Sequence, residues 1–268
     1  MIKIVLLLLL ACGSAWAQVK ESRQIKDFSV ISVSQGIQLQ FIYGEAKSME
    51  VSADSKELLK YINTEVNPEG ELKIFIDTPR NMKRLTFKNI VVRVSNPVLE
   101  SILISSSAKA ILNNTVKAKT FNLFASSSSS FSGSVQADDL YLSSSSSSKV
   151  EGGFEVMNKS VLSASSSSKI NIALNTKTAE FDGGSSSSIT VNGKANEASA
   201  SVSSSARINA VGFQVKTLNG KASSSGKMTF DVSEKVTGRA SSSGKIEFTG
   251  QAQIISAKTS SSGKIQKL

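Results

Sequence analysis

Along the second half of the chain, apolar and polar residues alternate in short bursts. Ile170-Asn171-Ile172, Ile189-Thr190-Val191, Met228-Thr229-Phe230 and Ile246-Glu247-Phe248 each place apolar side chains on one face and a polar one on the other. That is the period of a half-buried strand. Phe121-Asn122-Leu123 and Leu140-Tyr141-Leu142 alternate in the same way, and no stripe of helical period runs between these segments. Serine clusters separate them, beginning at Ser105, Ser126, Ser143, Ser165, Ser185, Ser203, Ser223, Ser241 and Ser260. The position after each cluster (Lys109, Ser130, Lys149, Lys169, Ser188, Arg207, Lys227, Lys245, Lys264) recurs every 18 to 21 residues. A disordered serine tract keeps no such register and lacks the apolar residues. Short strands repeating at this period without helices predict an all-β, single-stranded parallel β-helix, a β-solenoid of about nine serine-rich coils over residues 105–268. A right-handed coil is the base-rate expectation.

The serine runs themselves read as strand, with inward hydroxyls donating and accepting along a ladder between coils. Gly226, Gly244 and Gly263 stand just before a basic residue, where a bend or bulge favours the absence of a Cβ.

Residues 18–104 differ, with all three prolines and no serine cluster. Phe28 to Glu45 reads as two strands turning near Gln35-Gly36. Asp54, with Glu57 three residues on, predicts the N-cap of a short helix that turns Leu58, Leu59 and Ile62 inward. Glu71–Ile76 and Asn89–Ser95 read as further strands. A solenoid end exposes unpaired strand edges, so this region is expected to form the first irregular coils and a β-rich cap containing the one helix.

The first residues, MIKIVLLLLLACGSAWAQ, combine Lys3, an apolar run too short to span a bilayer and a small-x-small site at Ala15-Trp16-Ala17. Residues 1–17 are read as a secretory signal. Acylation at Cys12 is the alternative, giving a lipoprotein. Either way the chain is expected in the periplasm, on the outer-membrane surface or outside the cell, without a transmembrane helix after processing.

Cys12 is the only cysteine and histidine is absent. Disulfides, Ser-His and Cys-His catalysis and imidazole metal sites are therefore excluded, and no metal or cofactor is expected. The net charge of +10 in an exported chain favours anionic polysaccharide or another envelope polyanion over nucleic acid as partner.

The heptads KASSSGK, RASSSGK and KTSSSGK (Lys221 to Lys227, Arg239 to Lys245, Lys258 to Lys264) resemble phosphate-binding loops only superficially. Five residues rather than four lie between Gly220 and Gly226, and Met228, Ile246 and Ile265 stand where a hydroxyl residue belongs. In a solenoid the bases align instead. Lys149, Lys169, Arg207, Lys227, Lys245 and Lys264 form one column interrupted at Ser188, and Lys221, Arg239 and Lys258 form a second. Residues 219–268 hold eight Lys/Arg against three Asp/Glu. The columns either solubilise the rod or form a track for a repetitive polyanion, with Lys221, Lys227, Arg239, Lys245, Lys258 and Lys264 as its contacts. A polysaccharide lyase or glycosidase would need paired or clustered acids. The repeat acids recur at no single rung, and the adjacent Asp138 and Asp139 face opposite ways along a strand. A non-catalytic binding module and a structural spacer of the envelope thus remain ahead of an enzyme.

The chain also resembles a bacterial family, the putative auto-transporter adhesin, head GIN domain proteins. The likeness runs through Asp27-Phe28, Gly36-Ile37, Tyr43-Gly44-Glu45, Val51-Ser52-Ala53-Asp54, Leu58-Leu59, Glu71 to Ile74 (ELKI) and Val94 to Ala108 (VSNPVLESILISSSA). Gln38 stands where the family's Gly-Ile-Asn signature has asparagine. The resemblance implies an exported parallel β-helix with an adhesin-like role, and no catalytic or binding residue carries over from it.

Overall fold

The structure, a computed structural model, describes residues 18–79 and 87–268. The expected signal, with Cys12, lies outside the described residues. Strand accounts for 66% of the described residues, and Lys56–Leu59 is the helix among them. The strands stack in parallel as a β-solenoid of about nine turns. Lys149–Ala164 pairs with Ser130–Ser144 on one side and with Lys169–Asn175 and Thr178–Gly183 on the other.

Within a coil the inward residues alternate, as at Ile208, Ala210, Phe213, Val215, Leu218, Gly220 and Ala222. The alternation slips at Val211-Gly212, both exposed, and again at Lys216-Thr217, so the coil bends twice there. A third bend is the serine cluster. The columns of inward Val, Ile, Leu and Phe merge into one core from Phe28 to Ala252. Phe181 touches both Phe213 and Phe230, with ring centroids 5.7 Å apart in each pair. Edge-on aromatic contact of this kind adds about 0.5–1.5 kcal/mol to the area buried.

The serine clusters are not strand. Two successive serines in each of the nine, from Ser106-Ser107 to Ser261-Ser262, have φ between 46° and 63°. A hydrogen bond of 2.8–3.1 Å closes each turn, from the residue after the pair to the one before it. This is a tight turn with both central residues left-handed, a geometry for which Asn-Gly is the preferred pair. The first coil follows that preference more closely, with Gln35 at 59° and Gly36 at 72°. Serine has no special aptitude for this region, which costs an L-residue about 1–2 kcal/mol. Stacking offsets the cost. The second left-handed N–H of each turn donates 2.9–3.0 Å to the first left-handed carbonyl of the next coil, continuing the ladder around the corner.

Four buried hydroxyls belong to the residue after the turn, and their partners differ from those expected. Ser129, Ser148, Ser168 and Ser187 donate to the backbone carbonyls of Ile104, Ala125, Ser144 and Ala164 in the preceding coil, at 2.7–3.0 Å. Only Ser144 and Ser148 meet hydroxyl to hydroxyl, at 2.8 Å. A carbonyl keeps a free lone pair after its ladder bond, so it offers a fixed acceptor that a rotating hydroxyl does not. Gly226, Gly244 and Gly263 occupy the same position for a different reason than a bulge. A Cβ on Gly226 would lie 2.7 Å from the carbonyl oxygen of Val202, so the coils close up onto bare backbone here.

At the other end, Val30–Val33 and Gln38–Tyr43 form a coil that stacks on Ser101–Ile104 and Lys109–Leu112. The same coil carries Glu71–Ile76 and Val91–Asn96 on its far side. Beyond these, antiparallel strands Val19–Arg23, Ser48–Ala53 and Ile62–Val66 cover the end. Asp54 does not cap the helix. Ser55, extended at φ −149°, accepts from the Leu58 amide at 3.4 Å, and Ile62 begins the next strand. Arg23, largely covered, donates to the Leu59 carbonyl at 2.9 Å and to Thr64 at 3.0 Å, tying the first strand to the helix end.

Candidate functional site

Each serine corner places one strand end on either side of itself, and the bases fall at those ends. Lys149, Lys169, Ser188, Arg207, Lys227, Lys245 and Lys264 pair in consecutive register. Lys221, Arg239 and Lys258 do the same on the other side, continuing from Ser201. Neighbours within a column are one strand spacing apart, about 4.8 Å. Only the last three coils carry a cation on both sides of the corner. Between the cations stand the exposed left-handed serines, Ser224-Ser225, Ser242-Ser243 and Ser261-Ser262. The turn geometry, rather than a strand, is what presents both hydroxyls outward.

The six bases are not equivalent. Lys227 Nζ lies 2.8 Å from Glu247 Oε2, whose side chain is only 9% exposed. Gln266 approaches the same carboxylate at 3.4 Å. Lys227 is therefore engaged in holding a covered acid. Lys221, Arg239, Lys245, Lys258 and Lys264 have no carboxylate within ion-pair distance among the described residues. Sequence reasoning missed the Lys227–Glu247 pair because it joins one column to its neighbour in the next coil, a contact set by side-chain reach. The site's capability is electrostatic: three successive rungs of paired cations around a hydroxyl ridge, with no covered cavity.

Two other features lie elsewhere on the rod. Lys159 pairs with Glu180 at 2.8 Å, and this hydrogen bond holds the Lys159 ammonium above its ordinary pKa. In the cap, Lys20 and Arg93 bracket Glu50 at 3.1 and 3.0 Å, and hydrogen bonding from Lys20, then from Arg93, holds its carboxyl below the usual value. No group of three or more His, Cys, Asp or Glu suited to a metal ion occurs among the described residues. No helix among them is long and apolar enough to cross a membrane.

The architecture is shared with solved structures. A putative adhesin from Parabacteroides merdae superposes with a TM-score of 0.73 at 20% identity, over 94% of this chain and 96% of its own. A putative adhesin from Parabacteroides distasonis gives 0.72 at 22%, over 94% and 97%. A protein from the same species described as a putative lipid binding protein gives 0.63 at 19%, over 94% and 96%. At these identities the likeness is one of fold. No curated protein matches the chain. The model of one family matches residues 27–158 and 155–252, nearly the whole solenoid with part of its cap, and the chain belongs to that family, the putative auto-transporter adhesins with a head GIN domain.

Proposed function

We propose that the protein is a non-catalytic, exported surface-binding module that holds an anionic polysaccharide or another envelope polyanion along its C-terminal corner. One observation carries the reading: three consecutive coils repeat cation, exposed serine pair, cation at a constant step. A linear polyanion laid along the axis would meet several rungs at once, and individually weak contacts would add through effective concentration. Two like charges about 5 Å apart in water repel by roughly 0.8 kcal/mol, so an aligned column without a counter-charge is a net cost that a bound anion relieves. Membership of the adhesin family supports a surface role.

The test spares Lys227, whose loss would strand Glu247. The variant Lys245→Gln, Lys264→Gln, Arg239→Gln should keep the parent's unfolding midpoint and lose most of its retention on a heparin or polyuronate column at low salt. Parent retention should fall steeply with added salt, because exposed charges are screened within about 10 Å at 0.1 M. A variant retained as strongly as the parent would reduce the columns to solvated decoration and favour a spacer role for the rod.

A further inference from the structure

We infer a second binding site on a different side of the rod, an axial groove for a neutral, polyhydroxylated chain such as an oligosaccharide. The groove encloses about 540 Å³ on the side that precedes the serine corner. Two outward columns build it. One runs Glu180, Ser199, Asn219 and Thr237, and the other Lys159, Thr178, Glu197, Thr217 and Lys235, each in consecutive register. It therefore crosses five successive strands, a length on the order of 20 Å. The buried Ala179, Ala198 and Leu218 lie between the two columns, and the exposed Ile255 of the following strand lines its far end.

The chemistry of the lining points to the ligand. Hydroxyls and an amide supply both donors and acceptors on four of the five strands, at Thr178, Ser199, Thr217, Asn219 and Thr237. Two lysines and two glutamates cancel in formal charge, so the groove offers nothing to a polyanion. Glu180 is already paired with Lys159, whereas Glu197 has no cation within ion-pair distance among the described residues. A free carboxylate flanked by Thr178 and Thr217 accepts two hydroxyl donors at once, the pattern that a vicinal diol satisfies. Beyond Glu180 the same column continues through Val161 to Tyr141, a residue 43% exposed. Tyr141 thus stands one strand beyond the groove, where an exposed aromatic ring suits the apolar face of a sugar that extends past Lys159. The site is independent of the basic corner and stands or falls without it.

The purified protein should be titrated by saturation-transfer NMR and calorimetry with neutral β-linked hexasaccharides of glucose, mannose, xylose and N-acetylglucosamine. At least one should bind with an affinity indifferent to salt. Glu197→Ala and Asn219→Ala, both at exposed positions, should each weaken it by about tenfold, the value of one well-made hydrogen bond to a charged or polar group. Unchanged unfolding midpoints in these variants would show that the fold is intact. Lys245→Gln with Lys264→Gln should leave neutral-sugar binding untouched. Failure of every neutral hexasaccharide to bind would overturn the inference. So would equal affinity in both groove variants, or binding that fades with salt and with the lysine variants.

Discussion

Position by position, the residue after each serine turn is serine, alanine or glycine, and a pair of substitutions there tests whether coil spacing is set by backbone contact. Gly226→Ala places a Cβ 2.7 Å from the Val202 carbonyl oxygen, 2.8 Å from its carbon and 2.9 Å from the Ser203 nitrogen. Ordinary contacts lie near 3.5–4.0 Å, so about 1 Å of overlap must be relieved against three backbone atoms at once. Overpacking costs about 1–3 kcal/mol, and an unyielding backbone wall puts this case at the upper end. Alanine returns about 0.4–1 kcal/mol by restricting the unfolded chain, leaving a net loss of about 2 kcal/mol. Ser168→Ala, at the equivalent position three coils earlier, removes a hydroxyl bond of 2.7 Å to the Ser144 carbonyl. That carbonyl still accepts from the Ser165 amide at 3.0 Å, so no buried group is orphaned and the loss should stay within about 1 kcal/mol. Ala108 and Ala206 already occupy the position in other coils. Urea unfolding midpoints, with hydrogen exchange of the Ser225 and Lys227 amides, measure both variants. If Gly226→Ala matched the parent, or Ser168→Ala lost more than Gly226→Ala, backbone contact would not set the coil spacing.

The turns make a second expectation. Ser147→Asn should be neutral or stabilising, and Ser147→Val should cost about 1–2 kcal/mol, because a branched Cβ opposes the left-handed conformation; calorimetric midpoints decide it. In the cap, the Glu50 pKa lies below 4.5 in the folded chain, so its contribution to stability is present above about pH 4.5 and is lost as pH falls through the folded value. Glu50→Gln should therefore flatten the acid limb of a stability-versus-pH curve, and an unchanged limb would refute the linkage.

The solenoid was legible because it is a local pattern repeated. Period-two alternation at Ile170-Asn171-Ile172 or Ile246-Glu247-Phe248 marks strand faces, and a step near nineteen residues stacks each on the next. The same arithmetic aligned Lys227 with Lys245 and Lys264, and Lys221 with Arg239 and Lys258, since register follows from the period once the coils are in parallel. The Gln35-Gly36 turn was visible as well, its glycine marking a left-handed position. The equivalent serine turns were hidden, because serine advertises no such conformation, and only the inter-coil ladder makes Ser224-Ser225 adopt it. Helix capping moved by one residue, from Asp54 to Ser55, because two adjacent side chains can both cap and the fold of the chain chooses between them.

What the sequence by itself determined was therefore the repeat, the strand faces, the columns of charge and the family. Tertiary structure decided which way the serines face, that buried hydroxyls bond to carbonyls, that Lys227 is held by Glu247, and that Glu197, Thr217 and Asn219 line one groove. The first set depends on spacing along the chain, which the sequence records directly. The second depends on where a coil's atoms meet those of its neighbour, and that is fixed only when the coils close against one another.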